Sequence, residues 1–280
     1  MSTLYLVATP IGNLEDISAR ALRTLREVAL IAAEDTRVTR HLLTHFDIST
    51  PLATYTDAYQ RQKSARQGRV LEELAVGHDV ALVSDAGMPG LSDPGYELVQ
   101  AVLAAGHTVQ AIPGPSAIVT ALAASGLPAD RFLFVGFLPR KGAERRGLLA
   151  DLADEPGTWV AFESPNRLLG ALTDLLAVQG NRRVVVAREL SKRFEQFWRG
   201  TASDAVAYFT AMPPRGEITL VVAGTGQPRG ADRWSEAQVR SALELLAVEG
   251  VAPAGRARVV ARLSHWPRGE VYELVKGDEV

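Results

Sequence analysis

Short turns that follow apolar runs hold most of the side chains in this sequence able to do chemistry. Thr9-Pro10-Ile11-Gly12-Asn13 follows residues 4–8, Glu34-Asp35-Thr36-Arg37 follows 29–33, Ser84-Asp85-Ala86-Gly87-Met88-Pro89-Gly90 follows 80–83, and Pro113-Gly114-Pro115-Ser116 follows 108–112. Gly and Pro hold the backbone in fixed geometry and let a ligand approach it closely. Each turn alone is also what any α/β protein needs. A different chemistry sits in Arg140-Lys141-Gly142-Ala143-Glu144-Arg145-Arg146, four cations against one acid, which reads as a solvated loop or a phosphate-contacting one. His41 and His45 are i,i+4 neighbours on a helix pattern, but lack an interposed Glu and a third ligand. The five His therefore read as no metal site.

Other chemistries are excluded by what is missing. There is no G-x-x-x-x-G-K-[ST] phosphate loop, and no G-x-G-x-x-G follows the first strand-like run. Zero cysteines exclude a disulfide framework, a thiolate nucleophile and Cys-ligated metal.

The elements that must position these turns alternate strand and helix. Asp16 is expected to cap a helix whose apolar face is Ile17, Ala21, Leu25 and Val28. Another helix pattern spans about 61–75, and a small-residue helix covers about 117–125. Buried parallel strands joined by helices read this way, and such sheets bind ligands in the loops after their strands. Strand patterns then recur at 132–135, 159–162, 183–187, 194–198 and 218–223, with helices near 148–152 and 168–178. Ser235-Glu236-Ala237-Gln238 is a capping box opening a helix to about Val248, and 255–264 and 267–275 read as two more. The expected organisation is two α/β domains, 1–113 and 114–225, a linker at 226–234, and a small helix-turn-helix-like domain at 235–280.

At 280 residues and 47% hydrophobic side chains the chain can build real cores. No apolar stretch reaches the roughly 18 residues of a membrane span and no signal peptide is evident, so a soluble cytoplasmic protein is expected. Net charge is −2, unevenly spread: residues 1–130 carry nine basic and fourteen acidic side chains, residues 131–199 twelve and eight. The cations are 26 Arg to 4 Lys, a bias that phosphate recognition or a GC-rich genome would each produce.

Taken together and in order, these motifs resemble the tetrapyrrole-methylase superfamily. Residues 8–14, Ala33-Glu34-Asp35-Thr36-Arg37, Val83 to Pro89, Asp93-Pro94-Gly95, Pro113 to Ser116, Phe162-Glu163-Ser164 and Arg188-Glu189-Leu190 are similar to one branch. That branch comprises the bacterial 16S rRNA 2′-O-ribose cytidine methyltransferases acting near the decoding centre. The likeness covers about 3–225, and the C-terminal helices look like the branch's extra domain; Met88 stands where Thr is expected. The resemblance implies an α/β fold of two domains with S-adenosylmethionine between them, and a homodimer. It implies cofactor binding at Pro10, Gly12, Asp85, Ala86, Gly87, Pro113, Ser116, Phe162, Glu163, Leu190, Glu217, Ile218 and Thr219. Asp85 would accept from the methionine ammonium or a ribose hydroxyl, the Ala86 and Gly87 amides would bond the carboxylate, and backbone near Leu190 and Ile218 would read the adenine edge. The substrate implied is 16S rRNA in the small subunit or an assembly intermediate, with no metal and no membrane.

A ribose hydroxyl is a poor acid, so a base helps. Asp35, Glu163 and Lys192 are the candidates, Asp35 and Lys192 foremost. Asp35 reads equally as a partner of Arg37 or a helix cap, and Lys192 as a phosphate contact. Arg37, Arg140, Lys141, Arg145 and Arg146 are expected to contact RNA, with Tyr55, Tyr59 and Phe137 available to stack a base. The competing enzyme is a methyltransferase of a corrin or porphyrin precursor. A DNA-binding regulator is a third reading, disfavoured because the C-terminal charges nearly cancel.

Overall fold

A computed structural model of the chain describes residues 2–56, 60–226, 234–264 and 266–277. Contacts group them into one unit of Met1–Ala150 with Thr158–Ala223 and a second of Asp151–Gly157 with Gly224–Val280. The larger unit contains two five-stranded sheets.

The first sheet holds β1 (Thr3–Val7), β2 (Leu30–Ala33), β3 (Leu52–Thr54), β4 (Val80–Val83) and β5 (Thr108–Ile112). Their order is β3-β2-β4-β1-β5, and every pairing is parallel. All four residues of both β2 and β4 are buried, because helices cover both faces. On one face Ile31, Ala33, Ala81 and Val83 pack with Ala21 and Leu25 of α1 (Ala19–Glu27) and Leu42 and Leu43 of α2 (Thr36–His45). On the other, Leu30, Ala32, Val80 and Leu82 pack with Val70 and Leu74 of α3 (Gln60–Ala75) and Leu98 and Val102 of α4 (Tyr96–Ala104). Alternation along each strand divides the two cores. The cap of α1 is Ser18, whose side chain accepts from the Ala21 amide. Asp16, expected there, ends a short 3-10 turn and accepts from the Ser191 hydroxyl.

The second sheet holds β6 (Phe132–Phe137), β7 (Thr158–Glu163), β8 (Arg183–Arg188), β9 (Gln196–Thr201) and β10 (Ile218–Val222), in the order β6-β7-β10-β8-β9. Only β6 and β7 run parallel; β10 lies antiparallel between β7 and β8. Ile218 therefore pairs with Glu163 and with Arg188, so the start of β10 meets the ends of its two neighbours. α5 (Ala117–Ser125) lays Ile118, Ala121 and Leu122 against this sheet. α6 (Gly142–Asp151), α7 (Pro165–Gln179) and α8 (Ala202–Ala211) complete it, α8 opening on a Thr201–Asp204 capping box.

In the second unit, α9 (Glu236–Val248), α10 (Pro253–Ser264) and α11 (Arg268–Gly277) share a small core of Val239, Leu243, Ala257, Val260, Val271 and Val275. The Ser235–Gln238 capping box forms as its sequence indicates. The Trp266 indole N–H closes the unit by donating to the Trp234 carbonyl at 2.7 Å. Among the described residues no helix is long and apolar enough to cross a membrane.

Candidate active site

The strand ends of both sheets border one cavity of about 700 Å³, within the range that holds ligands of cofactor size. From the first sheet come Glu34 past β2, Asp85 to Met88 past β4, and Leu91 to Asp93. From the second come Phe137, Phe162 to Pro165, Glu189, Lys192 and Gly216 to Thr219, with Ser116 to Ile118 at the head of α5. Of the expected cofactor residues, Asp85, Ala86, Gly87, Ser116, Phe162, Glu163, Glu217, Ile218 and Thr219 border it. Pro10, Gly12, Pro113 and Leu190 do not. Leu190 is buried in the core under α5, and Gly12 lies against the Lys192 stem and the Leu190 carbonyl, where a Cβ would find no room.

Two loops of the first sheet brace one another. Glu34 Oε2 accepts from the Asp85 amide at 3.2 Å, and Asp85 Oδ1 accepts from the Asp35 amide at 3.0 Å. Thr9 and Gly87 exchange backbone hydrogen bonds of 2.9 and 3.0 Å. That corrects one expectation: the Gly87 amide donates to Thr9 within the protein and is not open to a ligand carboxylate. Gly87 also needs its φ of +84°, the left-handed region that glycine enters most cheaply. Gly216, at φ +79°, meets the Glu189 carboxylate where any side chain would begin.

The charges on this side share one direction. Burial raises the carboxyl pKa of Glu34, Asp85 and Asp93 above the ordinary range; at Glu34 the neighbouring Asp93, Asp85 and Asp35 add to it, while the Asp85 amide opposes. None of the three has an ion-pair partner among the described residues. Asp35 is the opposite case. It caps α2 by accepting from the Arg37 amide at 2.8 Å, and its carboxylate grips the Arg37 guanidinium at 2.6 Å. These bonds hold its pKa down at about 2. Asp35 does not border the cavity, so the residue foremost among the expected bases is a helix cap and a poor base.

On the second sheet's side the charges are paired. Glu163, whose side chain is fully enclosed, meets Arg167 at 2.5 Å and takes the Ser164 amide at 2.6 Å. Its pKa is nevertheless raised, because burial outweighs the Ser164 amide and the Arg167 and Arg145 charges. Lys192 Nζ reaches Glu217 at 2.9 Å and Glu189 at 3.1 Å. Burial works to lower its pKa, but the two carboxylates outweigh it and hold the ammonium protonated. That disqualifies Lys192 as a base.

The basic segment divides. Arg145 is buried, bound to Asp174 at 2.6 Å, and donates to the Pro139 carbonyl, so its expected role as an RNA contact is corrected to a structural one. Arg146 shares Asp174 but stays half exposed; Lys141, paired to Glu144, and Arg140 are exposed. Arg37 is almost fully exposed beside Arg40, His41 and His45, which line a shallow concavity on α2. Tyr55 is buried in the first core and cannot stack a base. Phe137 is 59% exposed at the cavity, 5.3 Å from Phe162, and Tyr59 lies outside the described residues. Among the described residues no group of three or more His, Asp or Glu is placed to hold a metal.

Sequence reasoning missed Glu34, Asp93 and Glu189 as cavity residues. A signal for Glu34 was present: consecutive side chains leaving a strand point to opposite sides, so Glu34 and Asp35 cannot share one role.

Comparison with known proteins places this geometry. The family model of Tetrapyrrole (Corrin/Porphyrin) Methylases matches residues 3–206. A relative from Synechocystis sp., named ribosomal RNA small subunit methyltransferase I, is 48% identical over 275 residues, 98% of this chain and 97% of its own. Relatives of the same name from Thermotoga maritima and Pseudomonas aeruginosa are 50% and 47% identical, over 80% and 88% of this chain and 99% and 87% of theirs. Among solved structures, a cobalt precorrin-4 methyltransferase superposes with TM-score 0.60 at 18% identity, covering 81% of this chain and 96% of its own. A uroporphyrin-III C-methyltransferase from Thermus thermophilus, solved with S-adenosylhomocysteine, gives 0.54 at 20%, covering 80% and 98%. At those identities the structures speak for the fold. The family model and the near-full-length relatives together make this chain a member of the tetrapyrrole (corrin/porphyrin) methylase family.

Proposed function

We propose that this protein transfers a methyl group from S-adenosylmethionine to the ribose 2′-hydroxyl of a cytidine in 16S rRNA, near the decoding centre of the small ribosomal subunit. The observation that carries this reading is the match to relatives named ribosomal RNA small subunit methyltransferase I, which includes nearly all of the C-terminal helices. The cavity chemistry supports the cofactor. Six carboxylates border it against one Lys, a surrounding suited to a sulfonium and an ammonium group. Asp85, Ala86, Ser116, Phe162, Ile218 and Thr219 would hold the cofactor, with Pro10, Gly12, Pro113 and Leu190 shaping the turns behind them. It supplies a methyl group already activated by sulfur's charge, so the protein's part is alignment. The same acids disfavour a tetrapyrrole precursor, which is itself a polycarboxylate.

Arg37, Arg140, Lys141 and Arg146 are the phosphate contacts of this reading, and Phe137 the ring on which a base would stack. It also includes homodimeric assembly, a cytoplasmic location and the domain division expected from the sequence. Purified protein with labelled cofactor should methylate small subunits lacking the modification, and mass spectrometry should find one ribose methyl on a cytidine. No incorporation into subunits, or a methyl on a base, would overturn the reading. Arg140→Ala with Lys141→Ala should weaken subunit binding and flatten its logarithmic salt dependence by about 1–2 units, roughly one per lost phosphate contact. Parallel salt slopes would show the segment to be solvated surface.

A further inference from the structure

We propose that Glu34 is the general base of the transfer, taking the ribose hydroxyl proton on its Oε1 atom; this rests on the O-methylation reading above. Of the acids at the cavity, Asp85 takes the Asp35 amide and is assigned to the cofactor above, and Asp93 takes a hydrogen bond from the Ser84 side chain. Among the remaining candidates the geometry favours one. Asp35 does not border the cavity and is clamped by Arg37. Lys192 is a protonated ammonium between Glu189 and Glu217, which it occupies in turn. Glu163 borders the cavity but is enclosed, with Arg167 on one oxygen. Glu34 borders the cavity, is half-buried, and has no ion pair among the described residues.

One oxygen of Glu34 is used for position. Oε2 takes the Asp85 amide at 3.2 Å, which fixes the carboxylate against the β4 loop. Among the described residues Oε1 has no hydrogen-bond partner, so it is the atom available to a substrate hydroxyl. A base works best when its pKa approaches the operating pH, and burial beside Asp93, Asp85 and Asp35 moves Glu34 that way. In the transfer, the hydroxyl oxygen forms the new bond to the methyl carbon. The electron pair of the broken carbon–sulfur bond stays on sulfur, leaving neutral S-adenosylhomocysteine. The proton passes to Glu34 and afterwards to water.

Glu34→Gln is close to isosteric and its amide oxygen can still accept from Asp85. Four measurements on full-length protein test the assignment: single-turnover methylation of small subunits, its pH profile, cofactor affinity by calorimetry, and a carboxyl-carbon NMR titration of Glu34. We expect the wild-type rate to rise with pH along a carboxylate limb, because only the ionised base accepts a proton. Glu34→Gln should lose at least tenfold in rate, within the roughly 10²–10⁴ that general bases contribute, and should lose the limb. Its cofactor affinity should stay within about threefold, and the Glu34 carboxyl should titrate above the ordinary 4.5. A smaller rate loss, a surviving limb, weaker cofactor binding, or titration at or below 4.5 each overturns Glu34 as base. If wild-type protein leaves subunits unmethylated, the proposed function itself fails, and the titration and calorimetry alone are read.

Discussion

On the first sheet's side of the cavity, Glu34, Asp85 and Asp93 have no ion pair among the described residues, whereas on the second sheet's side Glu163 is tied to Arg167 and Lys192 to two carboxylates. Topology underlies the contrast. In the parallel sheet every strand ends at one edge, so successive loops bring their acids together, and the cation there, Arg37, is held by Asp35. In the mixed sheet β10 starts where β7 and β8 end, which brings Glu217 to Lys192, while Glu163 pairs locally with Arg167 one turn into α7. One wall is thereby left reactive and the other is held in place.

The largest expected effect breaks the held wall. Arg167→Ala strands the enclosed Glu163 carboxylate and should cost about 3–5 kcal/mol in urea unfolding, as loss of one partner of a buried pair does. Adding Glu163→Gln should return part of it; a loss below about 1 kcal/mol would mean water already reaches that carboxylate. Next, Asp85→Ala strips the first wall of a proposed cofactor acceptor and of the acceptor for the Asp35 amide. Cofactor affinity should fall by about 1–3 kcal/mol. Unchanged binding by calorimetry would remove Asp85 from the site.

The smallest effects sharpen the comparison most, because adjacent residues should respond with opposite signs. Glu34 has a raised folded pKa, so its favourable contribution is full below 4.5 and lost as pH rises through the folded value. At pH 7 Glu34→Gln should therefore stabilise the fold, with the gain fading below 4.5. Asp35 is lowered from 3.8 to about 2, so its contribution is present above 3.8 and lost as pH falls through 2. At pH 7 Asp35→Ala should lower Tm, by at most about 4 °C for a lost cap. Melting curves from pH 2 to 7 check both, and equal signs would refute the different environments assigned to them.

Legibility in the sequence followed the strength of local signals. The β4, β5 and α5 bounds were readable from unbroken apolar or small-residue runs ended by Gly, Pro or Ser. β3 has three residues and offers no period, while α4 and α8 carry mixed apolar faces that went unnoticed. β9 begins two residues later than expected, because Phe194 looks strand-like yet belongs to the exposed approach. Cavity membership was legible for the turns as a set. Arg145 was not separable from its neighbours, since its partner Asp174 lies 29 residues away, on α7. Charge counting sees a cation, and only packing decides whether it faces water.

The place of β10 also bears on how the chain is made. Residues 218–222 complete the second sheet from its middle, yet they are synthesised last of its five strands. Until they leave the ribosome, β7 and β8 have no common neighbour, and each presents an open edge to other nascent chains. The first sheet waits less, because β1 is made early and needs only β4 and β5 to arrive beside it. A chain cut just before Ile218 should therefore carry an ordered first sheet and a sticky, unfinished second one, whereas a chain ending just after Val222 has every strand it needs.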